Sequence, residues 1–513
     1  MRSTDPRLPI AFFRDRARQC MACAQVDMRQ SCMVRDFSSP FKRTGLIQCH
    51  SPHLSLSIMN DPIEEPIPLI IWVEFYLEKC SQVALAVALF LMEAYEGASS
   101  FLLGHMTEVL LAVIAIFGST YYLCCIRDPW FELRQRAMEL KVDKPNSYLR
   151  SCGREVWVVA NPIGGDGNGV KIFNAILKPL LEKAGIPYRF IQTTHQGHPK
   201  QISMSVDPKL CACLALISGD GMVHEVMQGY ACRAKHDAKK LRELYDAIPL
   251  AILPGGSSNG LSTSFGYVDV VAACDGLING TQQPLDVNEI DFLNPQREGL
   301  KLWDAHAFCF GLFADYDRLV ETKLRKLGTT LKGILGAIAI IGQRQEYTAT
   351  FDFLDASHND FENDEERKAK KYSDASLLPD SPGKPAGWKR IEGSMLLLTA
   401  LNTTWAANDA HTAPYSDRSS GSVDILFIPG GSAVSRLGLL KTMMAFESGD
   451  HLEIPFVKIY RAKRWNLLPD IKHDHERTTL DCSGEQFPLS ETTCTCHKGL
   501  AKIIGFPDKQ LAR

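Results

Sequence analysis

Three short glycine-rich segments most constrain how this chain can fold, because each follows an apolar run and precedes a helical pattern. They read NPIGGDGNG at Asn161–Gly169, SGDG at Ser218–Gly221 and LPGGSSNG at Leu253–Gly260. Glycine lets a backbone turn sharply and approach a ligand closely. The repeated order of strand, glycine loop and helix predicts α/β units whose loops share one edge of a parallel sheet.

The apolar runs beside these loops predict the sheet itself. Strands are expected at Glu155–Ala160, Tyr188–Thr193, Cys213–Ile217 and Pro249–Leu253. Most of these runs are continuously apolar, which is typical of parallel strands covered on both faces. From about Pro284 the pattern alternates instead, and strands are expected at 305–313, 346–354, 394–401, 423–427 and 451–459. The predicted fold class is therefore α/β followed by a β-rich part.

The length of 513 residues favours two or three domains. Residues 1–66 are expected to be poorly ordered, and residues 67–150 to form an apolar regulatory or membrane-contact region with a linker. An α/β catalytic domain is expected at 151–283. A β-rich domain is expected at 284–505, with a charged insert at 355–390 that we interpret as a solvated loop.

One apolar run raises the question of a membrane span. Val109–Ile126 contains eighteen residues without a formal charge. A spanning helix needs about 20 such residues, so the run is borderline. It fits an integral span, a buried core helix or strands of a small regulatory domain, and these alternatives stay open.

Composition narrows the function classes. The net charge is −3 and no basic stripe is present, so no nucleic-acid partner is expected. The 16 cysteines are scattered, without paired CxxC motifs at zinc-ribbon spacing. We therefore expect reduced thiols and a cytoplasmic protein.

The glycine loops are typical of a phosphate-binding site. Small residues leave backbone N–H groups accessible to a phosphate, and the N-terminus of each following helix has a partial positive charge. The first loop is not a P-loop, because no Gly-Lys-Ser/Thr closes it, and it lacks the GxGxxG fingerprint. Asp220 stands between two glycines of the second loop and has two interpretations. It caps the helix that follows, or it accepts the proton of a substrate hydroxyl during phosphoryl transfer.

In this order and spacing, NPIGGDGNG, SGDGMVHEVMQG and PGGSSNGLSTS resemble the diacylglycerol kinase catalytic domain superfamily, and SGDGMVHEVMQG is most similar to the sphingosine (long-chain base) kinases. Phe310–Asp317, Glu447–His451 and Asp481–Glu485 match later blocks, so the resemblance covers about residues 150–505. It implies a two-domain lipid kinase fold, with a parallel α/β nucleotide-binding domain and a β-sandwich lipid-binding domain. It also implies ATP and Mg²⁺ as cofactors, a sphingoid base as substrate and a membrane surface as partner.

The resemblance further implies roles for single residues. Asp220 would be the general base toward the lipid's primary hydroxyl, and Asp317 would hold the polar head through its amine. A sphingoid base carries an ammonium, which favours such a carboxylate, and the apolar segment Gly333–Gly342 fits one wall of a tunnel for its tail. The residues lining or near the nucleotide would be Asn161, Gly165, Gly167, Thr194, His195, Ser218, Gly219, Gly221, Gly256, Ser257, Asn259, Arg325 and Glu485.

Several positions depart from the family pattern. Ser258 stands where the family usually has glycine, and a positive φ there would cost on the order of 1 kcal/mol. Cys482 and Ser483 interrupt the usual Asp-Gly-Glu. A second phosphate-contact arginine is missing at its expected place, where Lys332 offers a substitute point charge.

We therefore expect an ATP-dependent lipid kinase that phosphorylates the primary hydroxyl of a sphingoid long-chain base. Two alternatives stay open: a ceramide or diacylglycerol kinase, and a catalytically decayed, nucleotide-binding membrane scaffold. An Asp220→Asn variant is expected to separate the interpretations of Asp220, because asparagine would cap a helix equally well but could not act as a base.

Overall fold

The computed structural model describes residues 129–142, 146–293, 299–324, 329–356, 371–470 and 479–507. All of them belong to one compact unit, Ile67–Arg513. The apolar run at Val109–Ile126 and the N-terminal segment 1–66 lie outside the described residues. Within the described part of the chain, every helix is too short or too polar to cross a bilayer.

The described residues form fourteen strands and a set of mostly short helices. The strands are β1 Glu155–Ala160, β2 Tyr188–Gln192, β3 Cys211–Ser218, β4 Leu250–Pro254, β5 Thr281–Leu293, β6 Leu300–Asp304, β7 Ala307–Gly311, β8 Tyr347–Asp355, β9 Trp388–Leu401, β10 Val423–Pro429, β11 Lys458–Pro469, β12 Thr479–Cys482, β13 Glu485–Pro488 and β14 Glu491–Gly505. The α-helices are α1 Pro129–Glu139, α2 Ser147–Ser151, α3 Gly169–Ile172, α4 Lys178–Ala184, α5 His198–Ser205, α6 Asp220–Arg233, α7 Ala238–Ala247, α8 Gly260–Ser264, α9 Val270–Asn279, α10 Leu312–Lys323, α11 Thr329–Gln343 and α12 Arg436–Ala445. A π-helical segment, Phe173–Leu177, connects α3 to α4, and 3₁₀ turns form at Ala375–Leu377 and Asp450–Glu453.

The four strands predicted in the α/β part form a parallel sheet in the order β2-β1-β3-β4. Every residue of β3 is buried, as its continuously apolar sequence predicts. Side chains from β3, α6 and α9, among them Leu214, Val226 and Leu277, pack in one core. The first glycine loop begins directly after β1, and the second and third begin at the last residues of β3 and β4, so all three share the carboxyl edge of this sheet.

The remaining strands form an antiparallel array in the order β13-β12-β7-β9-β10-β11-β14, with β8 pairing both β9 and β11. Its core is aromatic, with Phe308, Phe351, Phe353 and Trp465 packed together. The predicted fold class, a parallel α/β part followed by a β-rich part, is confirmed. The strand predicted at 451–459 is wrong for most of its length, because a 3₁₀ turn occupies Asp450–Glu453 and β11 begins at Lys458.

The last strand, which the sequence patterns did not reveal, joins the two parts. β14 pairs antiparallel with β5 and β11, and its Ile503 is the parallel partner of Leu250 in β4. The strand β5 spans the predicted boundary between residues 283 and 284. Strand pairing therefore continues across this boundary, and the division into two domains stays a prediction.

The charged insert differs from the solvated loop that we expected. Residues 357–370 lie outside the described residues, but residues 371–390 are described and partly packed. Ala375 is buried in the aromatic core, and the hydroxyl of Tyr372 donates to the buried carboxylate of Asp424. Apolar and aromatic residues in this stretch thus anchor it, although its composition is polar.

Candidate active site

The three glycine loops contact one another so closely that side chains would not fit between them. A methyl group at Gly165 would lie 2.8 Å from the carbonyl carbon of Gly256, and φ at Gly165 is +58°. A methyl group at Gly219 would lie 2.4 Å from the carbonyl oxygen of Ser258, and one at Gly256 would lie 2.3 Å from Gly219 Cα. These positions therefore need glycine for close approach, as well as for turning.

The third loop is closed by its own asparagine. Asn259 Oδ1 accepts hydrogen bonds from the N–H groups of Gly255 and Gly256, at 3.1 and 3.0 Å. Asn259 Nδ2 donates to the Gly256 carbonyl, and its backbone N–H donates to Asn408 Oδ1. The side chain predicted to contact nucleotide thus shapes the loop, while Ser257 at the loop tip is exposed.

The other predicted loop residues surround the same sheet edge. Asn161 Oδ1 accepts from the N–H of Ile163 and holds the first loop in a turn. Gly167 has φ +72°, which favours glycine, and Ser218 donates to the carbonyl of Gly219. The structure thus brings together the nucleotide-site residues predicted on the first, second and third loops.

Asp220 does not cap the helix that it begins. It is the first residue of α6, whose N-cap Gly219 makes no side-chain cap. Instead its carboxylate caps α8: Oδ2 accepts from the N–H of Gly260 at 2.8 Å, and Oδ1 accepts from the N–H of Leu261 at 3.0 Å. Both carboxylate oxygens accept hydrogen bonds from N–H groups. An asparagine at position 220 would turn its NH₂ group toward one of these donors, so the expectation that asparagine would cap equally well is wrong.

Ser258 completes the ring of donors around this carboxylate. Its hydroxyl donates to Asp220 Oδ2 at 3.1 Å, and its carbonyl accepts from the Asp220 N–H at 3.2 Å. Among the described non-glycine residues, positive φ occurs only at Lys235, His236, Arg344 and Ser483. The strain expected at Ser258 is therefore absent, and its side chain has a partner that the motif comparison did not reveal.

His306 approaches Asp220 from the turn between β6 and β7. Its Nε2 lies 3.1 Å from the Ala406 carbonyl oxygen and 3.6 Å from Asp220 Oδ2. A carbonyl oxygen can only accept, so Nε2 carries the proton. Its Nδ1 lies 3.1 Å from Thr403 Oγ1, which can donate to it. His306 therefore presents an N–H between the Ala406 carbonyl and the Asp220 carboxylate.

A buried polar network lies behind this residue. Asp304 Oδ1 accepts from His224 Nδ1 at 2.8 Å and from the Ser483 hydroxyl at 2.7 Å, and Oδ2 accepts from the His306 N–H at 2.8 Å. Burial alone would raise the pKa of Asp304, but the hydrogen bonds from His224 and Ser483 hold it below its ordinary value. His224 is four residues after Asp220, so helical periodicity places both on one face of α6.

The thiol of Cys482 lies beside this network, in a group of three side chains of the kinds that bind metal ions. Ligand atoms of His224, Asp304 and Cys482 all lie within 4.8 Å of one another. The 2.8 Å between His224 Nδ1 and Asp304 Oδ1 suits a shared proton, whereas two ligands of one tetrahedral ion lie about 3.3 Å apart. Burial also raises the pKa of the Cys482 thiol well above its usual value. The cluster is therefore a hydrogen-bonded network.

The hairpin β12–β13 positions Glu485. Ser483 and Gly484 form its two-residue turn, with φ of +53° and +86°, which are the conformations of a type I′ turn. Cys482 lies in β12 and is the cross-strand partner of Glu485. The two residues that interrupt the family motif thus belong to a tight hairpin and not to a longer loop.

One acid of α6, Glu225, contacts the segment after β2. Glu225 Oε2 accepts from the Gly197 N–H at 2.9 Å, and Thr194 Oγ1 lies 2.9 Å from His195 Nδ1. Burial first, and then the charge of Glu485, raises the pKa of Glu225. Glu225, a residue of α6 that the motif comparison did not single out, therefore holds the segment after β2 through Gly197 and lies near Glu485.

Asp317 lies on α10, half-buried, beside other acids. Burial, followed by the charge of Asp317, raises the pKa of Asp481 well above its usual value. Burial and then Asp317 also raise the pKa of Tyr316 to about 12. Asp317 therefore contributes to an acidic region near β12. Arg325 and the side chain of Lys332 lie outside the described residues, so their predicted phosphate contacts stay predictions.

Comparison with known proteins agrees with the sequence motifs. The diacylglycerol kinase catalytic domain matches residues 155–290. Sphingosine kinase 1 from Arabidopsis thaliana is 28% identical over 382 residues, covering 71% of this chain and 75% of that protein. Sphingosine kinase 1 from Mus musculus is 27% identical over 327 residues, covering 61% of this chain and 81% of that protein.

A solved structure of a diacylglycerol kinase from Bacillus anthracis str. Sterne aligns with a TM-score of 0.42 and 14% identity, over 69% of this chain and 97% of that chain. The family match spans β1 to β4 and part of β5, and so includes all three glycine loops and Asp220. The similarity to the sphingosine kinases extends well beyond it. This chain therefore carries a diacylglycerol kinase catalytic domain, and the sphingosine kinases are among its relatives.

Proposed function

We propose that this chain is an ATP-dependent kinase that transfers a phosphoryl group to the primary hydroxyl of a sphingoid long-chain base. The main support for this proposal is that the backbones of three glycine loops pack against one another at the carboxyl edge of a parallel sheet. Ligands bind at this edge in open α/β sheets. The similarity to sphingosine kinases along most of the chain supports the sphingoid class of substrate.

The loops would hold the triphosphate of ATP. Gly165 and Gly167 supply a tightly turned backbone before α3, and Gly221 has open space beside its Cα. Backbone N–H groups and helix ends stabilise phosphate charge without side-chain bulk. In this proposal the remaining loop residues shape the site, and Thr194, His195 and Glu485 lie at its border.

Asp220 would orient the lipid hydroxyl. Phosphoryl transfer passes through a loose transition state, so the acceptor needs orientation more than strong activation. The Asp220 carboxylate is held by the N–H groups of Gly260 and Leu261, which fix its plane. A carboxylate held in this way is a well-placed proton acceptor.

Glu225 and Glu485 are the residues that we propose would hold Mg²⁺ with ATP. They are close enough for the charge of Glu485 to raise the pKa of Glu225. Mg²⁺ prefers oxygen ligands and is usually held by one or two carboxylates together with substrate phosphates and water, which fits this pair. When bound, the ion would neutralise charge on the phosphates.

Asp317 would recognise the ammonium of the sphingoid base. It lies in an acidic region with Asp481, whose pKa is raised by burial and then by the charge of Asp317, and a cation would relieve that repulsion. Ceramide and diacylglycerol lack this cation. An Asp317→Ala variant is therefore expected to raise the KM for a sphingoid base, with Asp246→Ala, an exposed aspartate on α7, as control.

A membrane surface is a further proposed partner. Six large apolar side chains on the packed helices α11 and α12 are between 39% and 63% exposed: Ile334, Leu335, Ile338, Leu437, Leu440 and Met444. Clustered exposed apolar residues mark interaction surfaces, and α11 also packs on α10, which carries Asp317. Replacing Ile338 and Met444 by aspartate is expected to weaken vesicle binding, whereas Leu377→Asp, at an exposed leucine on another segment, should not.

A lipid-panel kinase assay with the purified full chain tests the proposed function. With ATP and Mg²⁺ we expect phosphate transfer to a sphingoid base and not to ceramide or diacylglycerol. Asp220→Asn is expected to lower kcat by about 100-fold or more. Asp237→Asn is the matched control, because Asp237 caps α7 through the Lys240 N–H.

The outcomes of this assay separate the alternatives. Transfer to ceramide or diacylglycerol instead would favour the second class of lipid kinase. ATP binding without transfer to any lipid would favour the decayed scaffold. Full activity in the Asp220 variant would rule out Asp220 as the proton acceptor. Because the variant also disturbs the cap of α8, ATP affinity and thermal stability must be measured beside kcat.

A further inference from the structure

We propose that Ser258 is a positioning residue that makes Asp220 Oδ1 the single acceptor for the substrate hydroxyl. The inference rests on the proposed function and adds to it a role for a residue at which this chain departs from the family pattern. The donors around the Asp220 carboxylate are unevenly distributed, and this assigns the role.

The two oxygens of Asp220 are unequally occupied. Oδ2 accepts from the Gly260 N–H at 2.8 Å and from the Ser258 hydroxyl at 3.1 Å, with the His306 Nε2–H at 3.6 Å. Oδ1 accepts a single described bond, from the Leu261 N–H at 3.0 Å. Each carboxylate oxygen offers two acceptor positions. Oδ2 is therefore filled, and Oδ1 keeps one position.

This asymmetry decides where a lipid hydroxyl can donate. With the serine hydroxyl on Oδ2, the incoming O–H has one place to bind, and its oxygen is held in one orientation. A glycine at position 258 would open a second position on Oδ2 and allow two orientations. Because positioning within hydrogen-bond reach governs such transfers, the second orientation would reduce the fraction of productive complexes.

A phosphate contact is the competing role for Ser258, since its loop belongs to the proposed nucleotide site. The two roles predict different kinetics. A phosphate contact is made to bound ATP, so its loss would raise the KM for ATP. A positioning bond to Asp220 acts on the lipid hydroxyl, so its loss would lower kcat and leave the KM for ATP unchanged.

The test compares Ser258→Ala, Ser258→Gly and Ser258→Thr in the full chain with a sphingoid base and ATP. We expect kcat to fall about tenfold for alanine and glycine, which is the effect of one charge-assisted hydrogen bond. Threonine keeps the hydroxyl and should stay within about twofold of the wild type. The control is Ser205→Ala, which removes a hydroxyl bonded to the Gln201 carbonyl in α5.

A second readout needs no turnover. Ser258→Ala should lower Tm in the wild-type background and lower it less in an Asp220→Asn background, because the two side chains share a bond. Equal shifts in both backgrounds, wild-type kcat in Ser258→Ala, or a change confined to the KM for ATP would each overturn the role of Ser258. A wild-type chain that phosphorylates no lipid would instead refute the proposed function, while the Tm comparison would still report on the Ser258–Asp220 bond.

Discussion

Replacing His224 with leucine removes the imidazole partner of a carboxylate buried behind the candidate active site. Asp304 is 2% exposed and accepts three hydrogen bonds, from His224, Ser483 and the His306 N–H. Breaking a buried pair by removing one partner costs about 3–5 kcal/mol. Since two donors to Asp304 remain, we expect a loss of about 3 kcal/mol in the free energy of unfolding at pH 8.

The loss should depend on pH in a defined direction. Burial raises the pKa of Asp304, and His224 helps to hold it below its ordinary value against that effect; in His224→Leu we therefore expect burial to raise this pKa above its value in the unfolded chain. A carboxyl whose folded pKa is raised contributes stability below its unfolded pKa and loses it as pH rises through the folded value. The penalty of His224→Leu should therefore be smaller at pH 5 than at pH 8.

Urea unfolding followed by circular dichroism at pH 5 and pH 8 measures this difference. The matched control is the double variant His224→Leu/Asp304→Asn, which removes the buried charge together with its partner. It should be more stable at pH 8 than His224→Leu alone. A penalty below about 1 kcal/mol for the single variant, or an equal penalty at both pH values, would refute the reasoning.

Further predictions concern the glycine loops and two buried groups. Gly165→Ala should weaken ATP affinity by about tenfold in calorimetry, because its methyl group would meet the Gly256 backbone. The control for backbone strain alone is Gly185→Ala, since Gly185 has φ +64° and no neighbouring atom within 4 Å of the added methyl group. Burial lowers the pKa of His451 to about 4. The free energy of unfolding should therefore fall by about 3 kcal/mol as pH decreases from 6.5 to 4, because the unfolded chain binds this proton more readily. In urea titrations His451→Gln should reduce this dependence of the unfolding free energy on pH. Asp424→Leu leaves the buried Arg461 guanidinium without its carboxylate and should cost about 3–5 kcal/mol of unfolding free energy by the same assay.

Much of the fold was predictable because its signals are local. The continuous apolar runs around Leu216 and Ile252 predicted parallel strands, and both lie in the sheet. Local signals failed where long-range pairing decides the structure. The strand β14 pairs with β5 and β11, which both precede it in the chain and are separated from it by other strands. Its own sequence, with cysteines and threonines, has no marked alternation.

The residues of the candidate site were also predictable from the sequence only in part. The resemblance of its motifs singled out Asp220 and the glycines, and the close contacts of Gly165, Gly219 and Gly256 explain why those positions carry no side chain. The partners of Asp220 were not predictable. Ser258 was interpreted as a source of strain, and His306 was not singled out, although both face its carboxylate.

By itself, the sequence determined the order of strands, glycine loops and helices in the α/β part, because the apolar runs and glycines that specify them are neighbours along the chain. The tertiary structure alone decided which donors reach Asp220, and that this residue caps α8 and not α6. The physical reason is that a hydrogen bond requires atoms about 3 Å apart. Residues 38 to 86 positions distant, such as Ser258 and His306, meet that requirement only after the sheet and its loops have packed.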